Sequence, residues 1–204
     1  TYFFFAQYAN LDGFDYSGER IPAKDRSEMD RWIISRQNQL IKEVDQFLGD
    51  YEPHRAIRAI EAFLDQLSNW YVRLSRRVFW KSEMGQEKEA AFQTLFECLL
   101  TMAKLMSPIA PFYSEKLYRD LNGVCGLDSA ESVHLSTFPE VNEEEIDEAL
   151  EYRMSLARAA TSLVHSIRKN ERIKVRQPLQ KVLIPVLSEE MRSSLQEMEQ
   201  VILR

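Results

Sequence analysis

From Pro53 onward, Ile57, Ile60, Leu64, Leu67, Tyr71, Leu74 and Val78 step by three and four residues without a break. That is the period of an α-helix with a single apolar stripe. A stripe this long has to be covered by other helices, so it commits the chain to helix-on-helix packing before anything else is read. Pro53 suits the first turn, where its missing N–H would have had no partner.

The flanking segments read the same way. DRSE offers a capping box, Asp25 with Glu28, ahead of Met29, Ile33, Leu40, Ile41, Val44, Phe47 and Leu48, and Gly49 supplies a stop. A third helix is predicted from Glu87 to Met106, apolar almost all round at FQTLFECLLTMAKLM and hence central in a bundle. SPIAP ends it. PFYSEKLYRDL is a fourth helix closed at Asn122 and Gly123, followed by a loop with an extended piece at Ser132 to Phe138. A long helix follows from Glu143 to about Asn170, acidic at its start and basic at its end, as the helix dipole favours.

RIKVRQPLQKVLIPV changes character. Its β-branched residues and two prolines predict an extended, hairpin-like segment, with a last amphipathic helix from Ser188. The expected architecture is mainly α: an antiparallel helix bundle over 25–171, preceded by a connector over 1–24 and followed by the start of a small α+β element over 172–204. The opening TYFFFAQYA has neither a starting Met nor a cap, so the chain is expected to be a piece of something larger.

Composition narrows the chemistry. Two cysteines, Cys98 in a helical run and Cys125 in a loop, give no disulfide framework and suit a reducing, cytoplasmic compartment. Three scattered histidines, His54, His134 and His165, lack the spacing of a metal site. No apolar run reaches the roughly 18 to 20 residues of a membrane span. There is no Gly-rich phosphate loop and no nucleophile motif; the acids of Glu143 to Asp147 act on a helix start as dipole partners before they act as catalysts.

A net charge of −6 argues against nucleic acid, but the average conceals NWYVRLSRRVFWK, Asn69 to Lys81, with four cations and no acid. On a wheel of about 100° per residue with Leu67 at zero, Asn69, Arg73, Arg76 and Trp80 fall between about 180° and 240°, with Arg77 close by. Tyr71, Leu74 and Val78 stay with the core. Two readings of the outward face stand. Either Trp80 is covered by a later loop and the arginines pair with acids of the 140s, or cations hold phosphates while the indole stacks on an unpaired base of a looped strand. Trp32 and Arg36, four residues apart, add a flank if the helices are neighbours, or are a packed indole with a cation over it. RKNERIKVRQ is a second basic cluster, weak as a phosphate signal alone; Arg153, inside an apolar stripe, is expected to pair with a buried acid or to cap a neighbour.

DRWIISRQNQLIKEV, LSNWYVRLSRRVFWK, LMSPIAPFYSEKLYRDL and SVHLSTFP, in that order over Asp25 to Pro139, resemble the anticodon-binding helix bundle of the class I aminoacyl-tRNA synthetases for branched aliphatic amino acids. TYFFFAQYANLDGF and RIKVRQPLQKVLIP resemble what flanks that bundle in the isoleucine enzymes. The resemblance implies a parent ligase that charges the isoleucine tRNA using ATP with Mg, and a bundle that receives the anticodon stem-loop. It implies a tRNA-facing surface of Asn69, Trp70, Arg73, Arg76 and Arg77 with Arg31, Trp32 and Arg36 beside them, to which the wheel adds Trp80. The family's two ATP-binding signatures do not occur in these residues, so the segment itself is expected to be non-catalytic and to hold no cofactor. A monomer is expected. The corresponding module of a valine or leucine enzyme, or a helical protein-interaction module, are the alternatives.

Overall fold

A computed structural model of the chain describes residues 1–16, 19–80, 83–126 and 130–203, apart from the side chains at 124 and 125. Lys81 of the basic segment and the Cys125 side chain lie outside the described residues. Two compact units are formed, Thr1–Ile146 and Asp147–Arg204.

The first unit is a helical bundle. Its helices are α1 (Tyr2–Asp12), α2 (Glu28–Gly49), α3 (Pro53–Asp65), α4 (Arg73–Trp80), α5 (Gln86–Met106) and α6 (Pro111–Cys125), and α3 runs into α4 through a π-helical turn at Gln66–Val72. Short 3₁₀ turns occupy Ala23–Asp25, Val133–Leu135 and Glu143–Glu145. α5 is the central helix, packed against α1, α2, α4 and α6, and residues on every side of it are buried, from Ala90 to Leu105. α2 lies along α3 and the π turn, so the helices carrying the two candidate clusters are neighbours.

Helix ends are set by different residues from those the sequence pattern favours. The capping box of α2 is Ser27 with Asp30, two positions beyond Asp25 and Glu28, and Asp25 belongs to a 3₁₀ turn instead. Ser27 wins because Asp30 is itself buried and can return a hydrogen bond to the Ser27 backbone N–H at 3.2 Å. α2 does end at Gly49, but the left-handed residue of the turn is Tyr51 (φ 58°), which lets the Glu52 N–H reach the Phe47 carbonyl at 2.8 Å. α6 runs past Gly123 and stops at Gly126 (φ 58°). The extended piece expected at Ser132 to Phe138 is a 3₁₀ turn at its start, capped by the Ser132 side chain.

The second unit comprises α7 (Glu148–Asn170), α8 (Glu189–Glu197) and α9 (Glu199–Ile202), with α8 and α9 packed on α7. Asp147 caps α7, so Glu143–Glu145 form a separate 3₁₀ turn rather than its first turn. Arg153 pairs with an acid, Glu197, at 3.3 Å, but that carboxylate is half exposed rather than the buried partner expected. No strand forms among the described residues, and the hairpin expected over 172–187 is irregular backbone. Pro178 and Pro185 offer no N–H to a ladder, and nearly every side chain between them is exposed, so no face is buried to hold a strand pair.

Candidate nucleic-acid interface

The basic segment lies on the π turn and on α4. An uninterrupted α-helix would bury Leu74 and Val78; instead Ser75 and Phe79 are buried, and Leu74 and Val78 are half-buried. The π turn carries one residue more than an α-helical turn, which rotates α4 relative to α3. The Phe79 ring meets Phe4 and Phe92 edge-on, at 5.2 and 5.0 Å between centroids, so α4 is pinned against α1 and α5.

Beneath the turn lies Tyr71, fully buried, whose hydroxyl donates to Asp30 Oδ1 at 2.5 Å with the Ala91 carbonyl 3.3 Å away. Burial pushes the Tyr71 phenol well above its ordinary value, and the Asp30 charge and hydrogen bond push the same way, so the phenol stays a donor. Burial also raises the Asp30 carboxyl, outweighing the hydrogen bonds from Ser27 and Tyr71. One carboxylate thus caps α2 and anchors the π turn.

Outward, Arg73, Arg76 and Arg77 are exposed. Among the described residues none of them makes an ion pair, although acids of the 140s were expected to cover them. Glu143 pairs with Lys42 on α2 at 2.7 Å, and Glu145 with Arg20 at 2.9 Å. Trp80 is 59% exposed, and its indole N–H donates to the Tyr8 hydroxyl of α1. The bond steadies the ring while over half of it stays open to solvent. Asn69 is exposed and donates to Asp65 at 2.7 Å, one helical turn back. Trp70 is half-buried beside it.

The α2 flank is more mixed. Trp32 is 1% exposed, so its indole belongs to the core and offers no face to a base, and among the described residues no cation lies over it. Placing Trp32 on the surface is therefore corrected: four-residue spacing from Arg36 shows a shared side of the helix, not which of the two is covered. Arg31 and Arg36 are half-buried, with Arg36 at 4.0 Å from Glu43. The sequence reading missed Tyr8, Asp30 and Phe79. Asp30 was legible in DRSEMD as an alternative cap; nothing in the sequence links Tyr8 to a tryptophan 72 residues on.

A buried ionic cluster fixes the segment leading into α2. The Arg26 guanidinium, with no exposed side-chain surface, bonds Glu97 of α5 at 2.7 Å and Thr94 at 2.8 Å, and Arg20 and Tyr16 also converge on Glu97. Burial alone would raise the Glu97 carboxyl, but the hydrogen bonds and charge of Arg26 and Arg20 hold it below the usual carboxylate range. The arrangement is structural. Among the described residues no group of His, Cys, Asp and Glu could hold a metal ion, and no helix is long and apolar enough to cross a membrane.

A face of guanidinium groups without ion-pair partners among the described residues, beside a half-open indole, can hold an anionic polymer and stack a base. The class of protein agrees with this chemistry: residues 30–184 match the anticodon-binding domain of tRNA ligase, and the chain belongs to that family. Its relatives are more particular. It is 54% identical to the isoleucine-tRNA ligase of Cytophaga hutchinsonii over 203 residues, which cover 99% of this chain and 18% of that protein. It is 50% identical to the isoleucine-tRNA ligase of Bacteroides fragilis over 204 residues, 100% of this chain and 18% of the relative. With the isoleucine-tRNA ligase of Thermoplasma volcanium it shares 40% over 199 residues, 93% of this chain and 19% of the relative. The chain spans about a fifth of the length of the curated relatives it matches.

Proposed function

We propose that the chain is the tRNA-recognition module of an isoleucine-tRNA ligase and that the α4 face receives the anticodon stem-loop. The observation that carries this reading is the exposed set Arg73, Arg76, Arg77 and Trp80, without acid partners among the described residues, in a chain of net charge −6 that belongs to an anticodon-binding family. An acidic protein that leaves its cations uncovered on one helix is holding them for an anion. Asn69 and Trp70 extend the surface along the π turn, with Arg31 and Arg36 on the neighbouring α2; Trp32 supports that flank from within the core.

The parent reaction is the ATP-dependent attachment of isoleucine to its tRNA, with ATP and Mg bound by a catalytic domain outside these residues, in a monomeric, cytoplasmic enzyme. Identity to isoleucine enzymes along almost the whole chain favours this over the valine and leucine counterparts.

The test is a titration of a labelled isoleucine-tRNA anticodon stem-loop against the chain at graded salt, with an unrelated stem-loop of equal length as competitor. Preference for the cognate loop, and a slope of log affinity on log salt that falls by about 0.7 to 0.9 for each arginine replaced by alanine, are expected. Equal binding of both loops removes the specificity; a slope untouched by replacing all three arginines moves the site elsewhere.

A further inference from the structure

On a wheel of about 100° per residue with Leu67 at zero, an unbroken α-helix puts Leu74 and Val78 within about 20° of the buried line, and Ser75 and Phe79 about 80° and 120° away. The burial is the reverse: Ser75 and Phe79 are covered. One extra residue in the π turn rotates everything after it back by about 100°. Ser75 and Phe79 then lie within about 20° of the buried line, as found. The same rotation moves Arg77 from the flank to about 180°, directly opposite that line, and moves Arg76 from about 180° to about 80°, at the margin.

We propose that the π turn is a register device that makes Arg77, rather than Arg76, the centre of the RNA-facing surface, and that Tyr71 and Asp30 are its positioning residues. The proposal rests on the RNA reading of that face. Its support is geometric. Gln66–Val72 is π-helical, Tyr71 within it is fully buried, and its hydroxyl is fastened to a carboxylate 41 residues upstream that is itself fixed by a reciprocal bond to Ser27. A π turn replaces the i→i+4 bonds of the helix with i→i+5 bonds, an arrangement rare enough inside α-helices to call for contacts that favour it. Here they are the phenol–carboxylate bond at its end and the Phe79 ring wedged between Phe4 and Phe92 about two helical turns further on. The exposed Asn69, whose side chain among the described residues bonds only Asp65 one helical turn back, is the residue the turn can lose with least disturbance to the core.

The experiment ranks the arginines within the 204-residue chain, using the isoleucine-tRNA anticodon stem-loop as probe. In the native background Arg77→Ala should weaken binding about tenfold, the size of one lost charge-assisted contact, and Arg76→Ala by clearly less. Tyr71→Phe, which keeps the ring and removes the hydroxyl, should weaken binding several-fold and narrow the gap between the two arginines. Deleting Asn69 removes the extra residue, so an unbroken α-helix keeps Ser75 and Phe79 within about 20° of the buried line; Arg77→Ala should remain the more damaging, and Tyr71→Phe in that background should no longer narrow the gap. A purely structural Tyr71 would lower the melting temperature and leave the ranking untouched, and that result overturns the proposal. So does an Asn69 deletion that melts cooperatively but makes Arg76→Ala the more damaging; if that variant does not fold, Tyr71→Phe decides. Should all three arginine variants bind like the native chain, the RNA reading of the face fails with it. Salt-dependent binding that persists with Arg76 dominant in the native background leaves the RNA reading standing and removes only the register device.

Discussion

α4 and the stretch from Arg168 onward are two basic stretches of the chain, and Arg168 is used in the opposite way to the arginines of α4. On α4 the helix satisfies its own backbone, Phe79 and Ser75 carry the packing, and Arg73, Arg76 and Arg77 are left uncommitted among the described residues. After α7 the backbone is irregular, and the Arg168 guanidinium lies within hydrogen-bond distance of the carbonyls of Lys174, Val175 and Gln177, at 3.0, 3.3 and 3.0 Å. A cation near a helix C-terminus that ties down a turn is consumed by the chain's own acceptors. Local charge density therefore identifies a ligand surface only where the backbone beneath it needs nothing from those side chains.

The largest effect that sharpens this contrast is on the frame beneath α4. Arg26→Ala leaves Glu97 buried with part of its compensation gone, and removal of one partner of a buried pair costs about 3–5 kcal/mol. Urea unfolding of the first unit should register that loss. Arg168→Ala should leave that transition in place and loosen only the second unit, since its bonds are to exposed backbone. If Arg168→Ala destabilises the first unit comparably, the contrast between Arg26 and Arg168 fails.

Next come the binding effects. Trp80→Ala should cost about 1–3 kcal/mol of stem-loop affinity if a base stacks on the exposed indole, whereas Trp80→Phe retains part of it. Arg168→Ala should change affinity by less than twofold. A larger loss there than at Trp80, in the same titration, would reverse the assignment of the two basic regions.

These contrasts were only partly legible in the sequence. The stripe from Ile60 to Tyr71, the all-round apolar α5 and the helix from Ser188 could be read because each is a local periodicity that burial enforces, whereas Ile57, placed in the same stripe, is exposed and Ala56 is buried instead. The phase of α4 could not. After Leu67 the chain offers two continuations, Tyr71–Leu74–Val78 and Tyr71–Ser75–Phe79, and apolarity favours the first because Ser75 scores as polar. What selects the second is non-local: the Asp30 carboxylate and the aromatic side chains of Phe4 and Phe92. The outward arginines were found because both phases expose them, while Arg77 was placed at the edge because the wheel assumed an unbroken helix. Trp32 failed for a related reason, since amphipathic spacing does not show which of two neighbours faces the bundle.

Acid titration separates the two buried carboxylates of the frame by sign. Glu97 is held below its unfolded value, so its contribution is complete above the ordinary carboxylate range and is lost as pH falls toward the folded value, where the unfolded chain takes up the proton first. Asp30 is raised, so between the unfolded and the higher folded value the native state binds the proton first, and its ionisation costs stability as pH rises through that window. Urea midpoints measured from pH 7 to pH 3 should therefore fall more steeply below about pH 4.5 in the native chain than in Glu97→Gln. Asp30→Asn should steepen the fall, since it removes the opposing contribution. A parallel slope in all three would show that neither carboxylate titrates with folding.

Arg36 offers the finest division between a cation available to a ligand and one committed to the chain. It is half-buried on α2 and 4.0 Å from Glu43, one of whose neighbours in sequence, Lys42, is already paired with Glu143. An ion pair of that length with both partners partly exposed contributes little to stability, so Glu43→Gln should shift the unfolding free energy by no more than about 0.5 kcal/mol. Its effect on RNA is the informative one. If Arg36 lies within the footprint of the stem-loop, removing the acid beside it strengthens binding by about twofold at low salt, and the gain disappears as salt screens it. An affinity unchanged at every salt concentration places Arg36 with Arg168, among the cations that serve the fold, and confines the surface to α4 and the π turn.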